Sequence, residues 1–204
     1  MLSGTAIYVA EKEKYLGDII ISDEIKQNSK KAIENLKNIN KIKNIVMLTG
    51  DNKNIAQNIG RTLEIENVYY EMLPIDKVEK IEEMIKDTLK RNVAFVGDGI
   101  NDAPVLTRAD VGIAMGALGS DAAIEAADIV IMDDDIEKIN LAIQVCKKTM
   151  RIVKQNIIFA LFVKILFLVF GAVGFTSMMG AIFADVGVSV IAILNSMRTL
   201  NVKK

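Results

Sequence analysis

The residues best suited to chemistry are the acidic ones in "VGDGINDAP", residues 96–104. Asp98 and Asp102 stand four residues apart, directly after the apolar run "NVAFV". Mg²⁺ is held by one or two carboxylates together with phosphate and water, so two carboxylates at the end of a strand suit it. The stretch therefore predicts a magnesium ion held against a phosphate group.

Two other polar clusters carry the residue types that a phosphoryl-transfer site needs. Thr49 and Gly50 offer a hydroxyl and backbone N–H groups at the start of a predicted helix, where phosphoryl oxygens bind. Lys77 can neutralise the charge that develops on those oxygens. Taken singly, a Thr-Gly-Asp turn is usually only a helix start, here with Asp51 or Asn52 as its cap, and a lone lysine is usually solvated. Together and in this order, the clusters predict a phosphoryl-transfer site that lacks its nucleophile.

The elements that must position these residues follow an alternating pattern. The runs 5–10 and 15–21 predict a β-hairpin, because both are β-rich and a short polar segment joins them. Later strands alternate with helices, which predicts an α/β fold with a Rossmann-like, doubly wound parallel sheet that binds ligands at the carboxyl ends of its strands. The predicted strands are 44–49, 67–72, 92–96, 111–115 and 128–132, and the predicted helices are 24–39, 52–63 and 74–90.

The last quarter of the chain has a different composition. Hydrophobic residues make up 51% of the 204 residues, and they are not evenly spread. The stretch 157–194 contains only two charged residues, Lys164 and Asp185. Two segments, about 157–175 and 178–194, are long enough to cross a membrane, the second near the lower limit. Positive residues flank both outer ends, which predicts a transmembrane hairpin with both ends in the cytoplasm.

Charges inside such spans are costly. Each unpaired charge costs at least about 3 kcal/mol. Measured from the turn, Lys164 and Asp185 differ in depth by about 6 Å at the helical rise per residue. A lysine side chain covers that distance, so an ion pair is one interpretation. A lysine that reaches outward and an aspartate in an interhelical hydrogen bond is the other.

Composition also excludes several classes of protein. The chain has no histidine and a single cysteine, Cys146, so it cannot build a disulfide framework or a zinc site of Cys and His within itself. A formal net charge of −1 argues against nucleic acid as a partner.

The motifs of this chain resemble those of a known family. They are similar to the phosphorylation domain of P-type ATPases, a branch of the haloacid-dehalogenase superfamily, and above all to the heavy-metal-transporting subclass of the zinc/cadmium/lead type. The resemblance covers essentially the whole chain and implies the C-terminal part of a pump. The motifs that carry it are "MLTGDN" (47–52), "MLPIDK" (72–77), "VGDGINDAPVLTRADVGIAMG" (96–116) and "GSDAAIEAADIVIM" (119–132).

The resemblance also implies a domain organisation. Residues 1–21 would be the last hairpin of the nucleotide-binding domain, and residues 22–146 would be part of the phosphorylation domain. Residues 147–204 would be the membrane hairpin with its cytoplasmic C-terminus. The chain would lie in the cell membrane as a multi-pass protein, with its soluble domain in the cytoplasm.

Residue roles follow from the same resemblance. Thr49 would contact an aspartyl phosphate and Lys77 would stabilise it. Asp98 would bind Mg²⁺ with support from Asp102. Asp185 would bind the transported metal, and Lys164 would be its built-in counter-ion. The residues expected beside the phosphate and the ATP are Gly50, Asp51, Gly97 and Asn101.

The chain departs from the family pattern at the nucleophile. The phosphorylated aspartate of the family lies in an Asp-Lys-Thr-Gly-Thr motif, whereas the single Asp-Lys here, Asp76-Lys77, is followed by Val-Glu. The nucleophile and most of the ATP site are therefore expected outside this chain, which should be inactive alone. Expected partners are the lipid bilayer, a divalent ion (Zn²⁺, Cd²⁺ or Pb²⁺) and the remainder of the pump.

Two other interpretations stay open. A copper-type pump is disfavoured by Asp185 and Lys164, because a carboxylate suits a harder cation than Cu(I). A truncated chain could also act without catalysis, as a membrane-tethered module that binds Mg²⁺ and phosphate.

Overall fold

The computed structural model describes residues 5–12, 14–21, 24–87, 92–97, 100–116, 121–133, 135–175 and 178–200. The chain divides into two compact units, Met1–Lys138 and Ile139–Lys204. The division lies within the first residues of a long helix, so each unit is described by itself.

The first unit begins with the predicted β-hairpin. Strand β1 covers Thr5–Glu11 and strand β2 covers Lys14–Ile21, and the two pair antiparallel. The register shifts between Val9 and Ala10, so the ladder contains a bulge. The prediction of a hairpin in this segment is confirmed.

Five short parallel strands follow. Strand β3 (Val46–Leu48) pairs with β4 (Asn67–Tyr69). Strands β5 (Ala94–Gly97), β6 (Val111–Met115) and β7 (Ile129–Ile131) form a second sheet in that order. All five fall within or at the edges of the predicted runs, and the α/β class with parallel strands is confirmed. Within the described residues the strands form a pair and a triplet rather than the one continuous sheet that was predicted.

Helices separate these strands as the alternation predicts. Helix α1 begins five residues later than predicted, because residues 24–28 form an irregular segment in which the Ser29 N–H donates to the Lys26 carbonyl at 2.9 Å. Helix α3 begins at Pro74, as predicted. The helices are α1 (Ser29–Asn38), α2 (Lys53–Thr62), α3 (Pro74–Asp87), α4 (Ala103–Arg108) and α5 (Asp121–Ala126).

The core of the first unit lies where α3 and α4 cover β5 and β6. Val105 and Leu106 of α4 are almost fully buried. Helix α4 passes so close to β6 that a Cβ on Gly112 would lie 2.5 Å from the Leu106 carbonyl oxygen. The other members of the buried cluster are Ile81, Val93, Phe95 and Ala114.

The second unit contains two long helices and, after them, a short 3₁₀ helix, Met197–Thr199. Helix α6 covers Glu137–Ala172, 36 residues, and α7 covers Met178–Ser196. Helix α6 ends three residues before the predicted end of its span, because Gly174 takes a left-handed backbone (φ 80°) that terminates the helix. Among the described residues, α6 is the one helix long and apolar enough to cross a membrane. The two-span hairpin therefore stays a prediction.

Candidate active site

The clearest contact among the predicted site residues joins Lys77 to Asp102. The Lys77 Nζ lies 2.8 Å from Oδ1 of Asp102, and the two side chains are only 16% and 14% exposed. These residues belong to separate motifs 25 residues apart in sequence. The structure thus brings together the lysine and one of the carboxylates that the motifs singled out.

Each partner is positioned by the start of a helix. Lys77 is the fourth residue of α3, whose start is fixed because the Asp76 carboxylate accepts a hydrogen bond from the Leu73 N–H at 2.8 Å. Asp102 stands at the N-cap of α4, but its side chain caps none of the helix N–H groups. It is directed to Lys77 instead.

Gly97 makes room for Asp102. This glycine ends β5, and a Cβ at its position would lie 2.9 Å from Oδ2 of Asp102 and 2.9 Å from the Phe95 ring. No ordinary side chain fits at such distances without displacing the carboxylate. Gly97 was predicted as a residue beside the phosphate, and the geometry adds a packing reason for glycine there.

Thr49 and Asp51 form a compact turn at the carboxyl end of β3. The Thr49 hydroxyl donates to Oδ2 of Asp51 at 2.8 Å, and the Asp51 N–H donates back to the Thr49 Oγ1 at 3.1 Å. Asn52 then caps α2, since its Oδ1 accepts the Ile55 N–H at 3.1 Å. The prediction that Asp51 or Asn52 caps this helix is confirmed, with Asn52 as the cap.

A second segment supports this turn. The Glu71 N–H donates to the Asp51 carbonyl at 2.9 Å, and the Met72 N–H donates to the Thr49 carbonyl at 3.1 Å. Glu71 adopts a left-handed backbone (φ 55°) to do so. The same segment continues into α3, so the turn with Thr49 and the helix with Lys77 share one backbone framework. No motif pointed to Glu71; a non-glycine residue with positive φ is not readable from sequence.

Charged contacts also fasten α3 to its neighbours. Lys80 lies 2.6 Å from Oε2 of Glu83, and its Nζ is 4.5 Å from the centre of the Tyr69 ring on β4. Hydrogen bonds to Glu83 first and to Tyr69 second raise the pKa of Lys80. On the other side, Arg108 of α4 lies 2.6 Å from Glu82 and lowers the pKa of that carboxyl through its hydrogen bond.

The remaining predicted residues of this site are less closely connected. Asp98 falls outside the described residues, and Asn101 is exposed in the short 3₁₀ turn Ile100–Asp102. In the part of the chain that the structure describes, no three His, Cys, Asp or Glu side chains converge into a metal-binding group. The magnesium site therefore stays a prediction. Asp102 is compatible with it, because Lys77 engages Oδ1 while Oδ2 faces Gly97.

Lys164 and Asp185 are not joined. Both side chains are exposed, Lys164 on α6 and Asp185 on α7. The ion pairs between described residues do not include one between them. The backbone carbonyl of Asp185 accepts a hydrogen bond from the Ser189 hydroxyl at 3.0 Å. The ion pair, one of the two interpretations of these residues, is thus not formed in this structure.

The second unit contains a polar cluster that the motifs did not reveal. The Asn195 side chain donates to Oδ1 of Asn156 at 2.8 Å, and Nδ2 of Asn156 donates to the Ser196 hydroxyl at 3.0 Å. The one signal in the sequence is a pair of amides that flank the apolar segments.

Comparison with known proteins defines the class. A family profile for haloacid dehalogenase-like hydrolases matches residues 2–110, more than half of the chain. The protein belongs to this family.

Particular relatives narrow the class further. The chain is 51% identical over 202 residues to a cadmium, zinc and cobalt-transporting ATPase of Bacillus subtilis, an alignment that covers 98% of this chain and 29% of that protein. It is 48% identical over 197 residues to a zinc-transporting ATPase of Synechocystis, covering 97% of this chain and 27% of that protein. The family resemblance stated from the motifs is confirmed.

A solved structure agrees. The crystal structure of a zinc-transporting PIB-type ATPase matches with a TM-score of 0.83 at 34% identity, covering 97% of this chain and 32% of that one. The chain thus spans less than a third of the length of the curated relatives it matches.

Proposed function

We propose that this chain is the C-terminal part of an ATP-driven exporter of a divalent heavy-metal cation, with zinc or cadmium as its substrate. One observation carries the proposal: similarity to zinc and cadmium transporters covers 98% of the chain, and so includes both the phosphoryl-transfer motifs and the helix with Asp185. A free-standing hydrolase of this fold would not explain the two apolar helices.

At the soluble site, Lys77 is the group that stabilises phosphoryl charge. Its ammonium group is held at one point by Asp102 and is largely shielded from water. A fixed cation in such surroundings stabilises developing negative charge more strongly than one in bulk water. The Thr49 hydroxyl lies at the neighbouring strand end and offers a hydrogen bond to a phosphoryl oxygen. The aspartate that accepts the phosphate lies outside this chain.

Mg²⁺ and ATP are the cofactors of the proposed reaction. Asp98 and Asp102 would hold the magnesium ion, which supplies charge neutralisation at the phosphoryl group when bound. Gly50, Asp51 and Asn101 would lie on the side of the phosphate and nucleotide. Most of the ATP site would come from the remainder of the pump, with residues 1–21 at its edge.

In the second unit, α6 and α7 would cross the membrane as a hairpin with both chain ends in the cytoplasm. Lys147, Arg151 and Lys154 precede the apolar part of α6, and this excess of positive charge favours the cytoplasmic side. Asp185 would bind the transported ion, and Lys164 would replace it as counter-ion when the site is empty.

The test uses the pump reassembled around this chain. Asp185→Ala should abolish zinc-stimulated ATP hydrolysis, whereas Ser189→Ala, one turn further along α7, should leave it unchanged. Zinc stimulation that survives Asp185→Ala would remove Asp185 from the transport site.

A second test concerns the nucleophile. Incubated alone with labelled ATP and Mg²⁺, the chain should form no acid-stable phosphoenzyme. Formation of one would place the nucleophile within this chain.

A further inference from the structure

The amide cluster between α6 and α7 can fix how the two helices align along their axes. Asn156 uses its whole side chain: Oδ1 accepts from Asn195 at 2.8 Å, and Nδ2 donates to the Ala192 carbonyl at 3.1 Å and to the Ser196 hydroxyl at 3.0 Å. Arg198 donates to Oδ1 of Asn195 at 2.9 Å. That bond orients the Asn195 amide so that its N–H groups face Asn156.

This cluster admits one alignment of the two helices. If α7 slid along α6 by one turn, so that Ile191 and Ala192 took the places of Asn195 and Ser196, the acceptor and one donor of Asn156 would face apolar side chains instead of their partners. A polar group buried without its partners costs free energy, so the hydrogen bonds select the observed alignment. Asn156 lies 16 residues before the end of α6 and Asn195 lies 17 after the start of α7, so the helices run antiparallel.

The alignment has a consequence for depth. Lys164 lies eight residues beyond Asn156, about 12 Å along α6, and Asp185 lies ten residues before Asn195, about 15 Å along α7. Both distances are measured from the amide contact towards the turn between the helices. The two charged residues therefore differ in depth by only about 3 Å, less than the roughly 6 Å expected when depth was measured from the turn between the predicted spans.

The alignment also determines which side of the helix pair Lys164 and Asp185 face. At about 100° per residue, Lys164 is rotated by about 80° from Asn156, and Asp185 is rotated by about 80° from Asn195. Because the helices are antiparallel, these two rotations turn both residues to the same side of the helix pair. Helices in contact lie about 8–10 Å apart, which leaves room between the two side chains for one ion.

We propose that the contact between Asn156 and Asn195 sets the register of α6 against α7 and thereby positions Lys164 and Asp185 at one depth on one side of the helix pair. The importance of this for metal binding rests on the proposed function, while the geometry does not. Asn156 and Asn195 are positioning residues, since they act through Lys164 and Asp185.

The geometry is tested on the chain itself in lipid vesicles. Cys146→Ser removes the native thiol, and Lys164→Cys with Asp185→Cys places two thiols for a cross-linker of about 8–10 Å, the separation of packed helices. We expect an intramolecular cross-link, and we expect Asn156→Leu to lower its yield about threefold to tenfold, the range for interhelical hydrogen bonds in membranes. The control Gln155→Leu removes an amide one residue away and should leave the yield unchanged.

Three results would overturn the proposal. They are absence of the cross-link in the parent, an equal yield with Asn156→Leu, and an equal loss with Gln155→Leu. Asn156→Gln keeps the amide and should recover part of the yield, so a general folding defect would be recognised because Leu and Gln would then behave alike.

The functional consequence is tested in the reassembled pump. Asn156→Leu should raise the zinc concentration for half-maximal ATP hydrolysis about tenfold while the maximal rate changes less, since positioning acts on metal binding. A fall in maximal rate with an unchanged half-maximal concentration would contradict positioning. If Asp185→Ala leaves zinc stimulation intact, the proposed function fails while the cross-linking result stands.

Discussion

The predicted site residues include two combinations of lysine and aspartate, and the two differ in the structure. Lys77 and Asp102 form an ion pair at 2.8 Å that is mostly shielded from solvent. Lys164 and Asp185 are both exposed on separate helices and are not paired. In the first unit, strand ends and helix starts bring charges from separate motifs into contact. In the second, neutral amides about 12–15 Å away align the helices that carry the charges.

The comparison shows that the two kinds of site are positioned by different features of the fold. A parallel sheet gathers strand ends at one edge, so a site there is assembled by topology. Two helices have no such edge and can slide or rotate against each other. Their relative depth therefore depends on a few directional contacts, which Asn156 and Asn195 provide.

The largest effect is expected from removing the shielded cation. Lys77→Met should lower the rate of phosphoenzyme formation in the reassembled pump about 100-fold or more, as the loss of one fixed stabilising group does in other enzymes. Lys86→Met, on the same helix but with a side chain 76% exposed, should change the rate little. Equal effects of the two substitutions would show that Lys77 has no special role.

The same pair can be tested for stability. Lys77→Met leaves the Asp102 carboxylate shielded and without its partner, which should lower the free energy of unfolding of the first unit by about 1–3 kcal/mol. Adding Asp102→Asn should restore part of the loss, because the uncompensated charge is removed. A double variant that loses the sum of both single effects would show that the ion pair is not coupled.

A smaller effect is expected from filling the space beside Asp102. Gly97→Ala would place a Cβ 2.9 Å from the Asp102 carboxylate, so the side chain or the strand must shift. Such overpacking costs about 1–3 kcal/mol in unfolding free energy. Gly187→Ala is the matched change in α7, where a Cβ meets nothing within 4 Å, and it should be neutral or slightly stabilising. Urea unfolding of the first unit and thermal unfolding of the whole chain would distinguish the effects of Gly97→Ala and Gly187→Ala. A loss of stability in Gly187→Ala would contradict the expectation that only the crowded glycine is sensitive.

Short-range signals in the sequence were the reliable ones. The hairpin, the start of α3 at Pro74 and the cap at Asn52 depend on neighbouring residues, and all three are confirmed. Apolar runs also located each parallel strand in the part of the chain that the structure describes, although most of these strands are shorter than the runs. The positions of Lys77 and Asp102 just after predicted strands indicated a shared site, and the structure brings the two side chains into contact although β4 and β5 belong to separate sheets within the described residues.

The features that the sequence could not supply depend on distant partners. The exact fit of Gly97 against Asp102 depends on how a turn folds back over the strand. Asn156 stood just outside a predicted span and carried no sign of its partner 39 residues away. Helix α6 runs unbroken through the predicted start of the span at 157, since no glycine or proline interrupts it before Gly171.

The smallest effect should come from an ion pair that is formed but exposed. Lys30 of α1 lies 2.8 Å from the Glu64 carboxylate, with 48% and 61% of the two side chains exposed, and Lys37 donates to the Glu64 carbonyl. The hydrogen bond from Lys30 lowers the pKa of Glu64 from its ordinary value of 4.5, and the bond to Glu64 raises the pKa of Lys30 from 10.5.

The direction of the pH dependence follows from these shifts. Because the pKa of Glu64 is lowered by folding, its stabilising contribution is complete above pH 4.5 and is lost as the pH falls through the lowered value. The contribution of Lys30 is complete below pH 10.5 and is lost as the pH rises through its raised pKa.

Glu64→Gln should therefore lower the urea midpoint of the first unit slightly at neutral pH and make no difference below the lowered pKa. Glu66→Gln, two residues along, serves as the control. A large shift of the midpoint would mean that an exposed pair stabilises the fold as strongly as Lys77 and Asp102 do. Shielding from solvent would then no longer explain the contrast between Lys77–Asp102 and Lys164–Asp185.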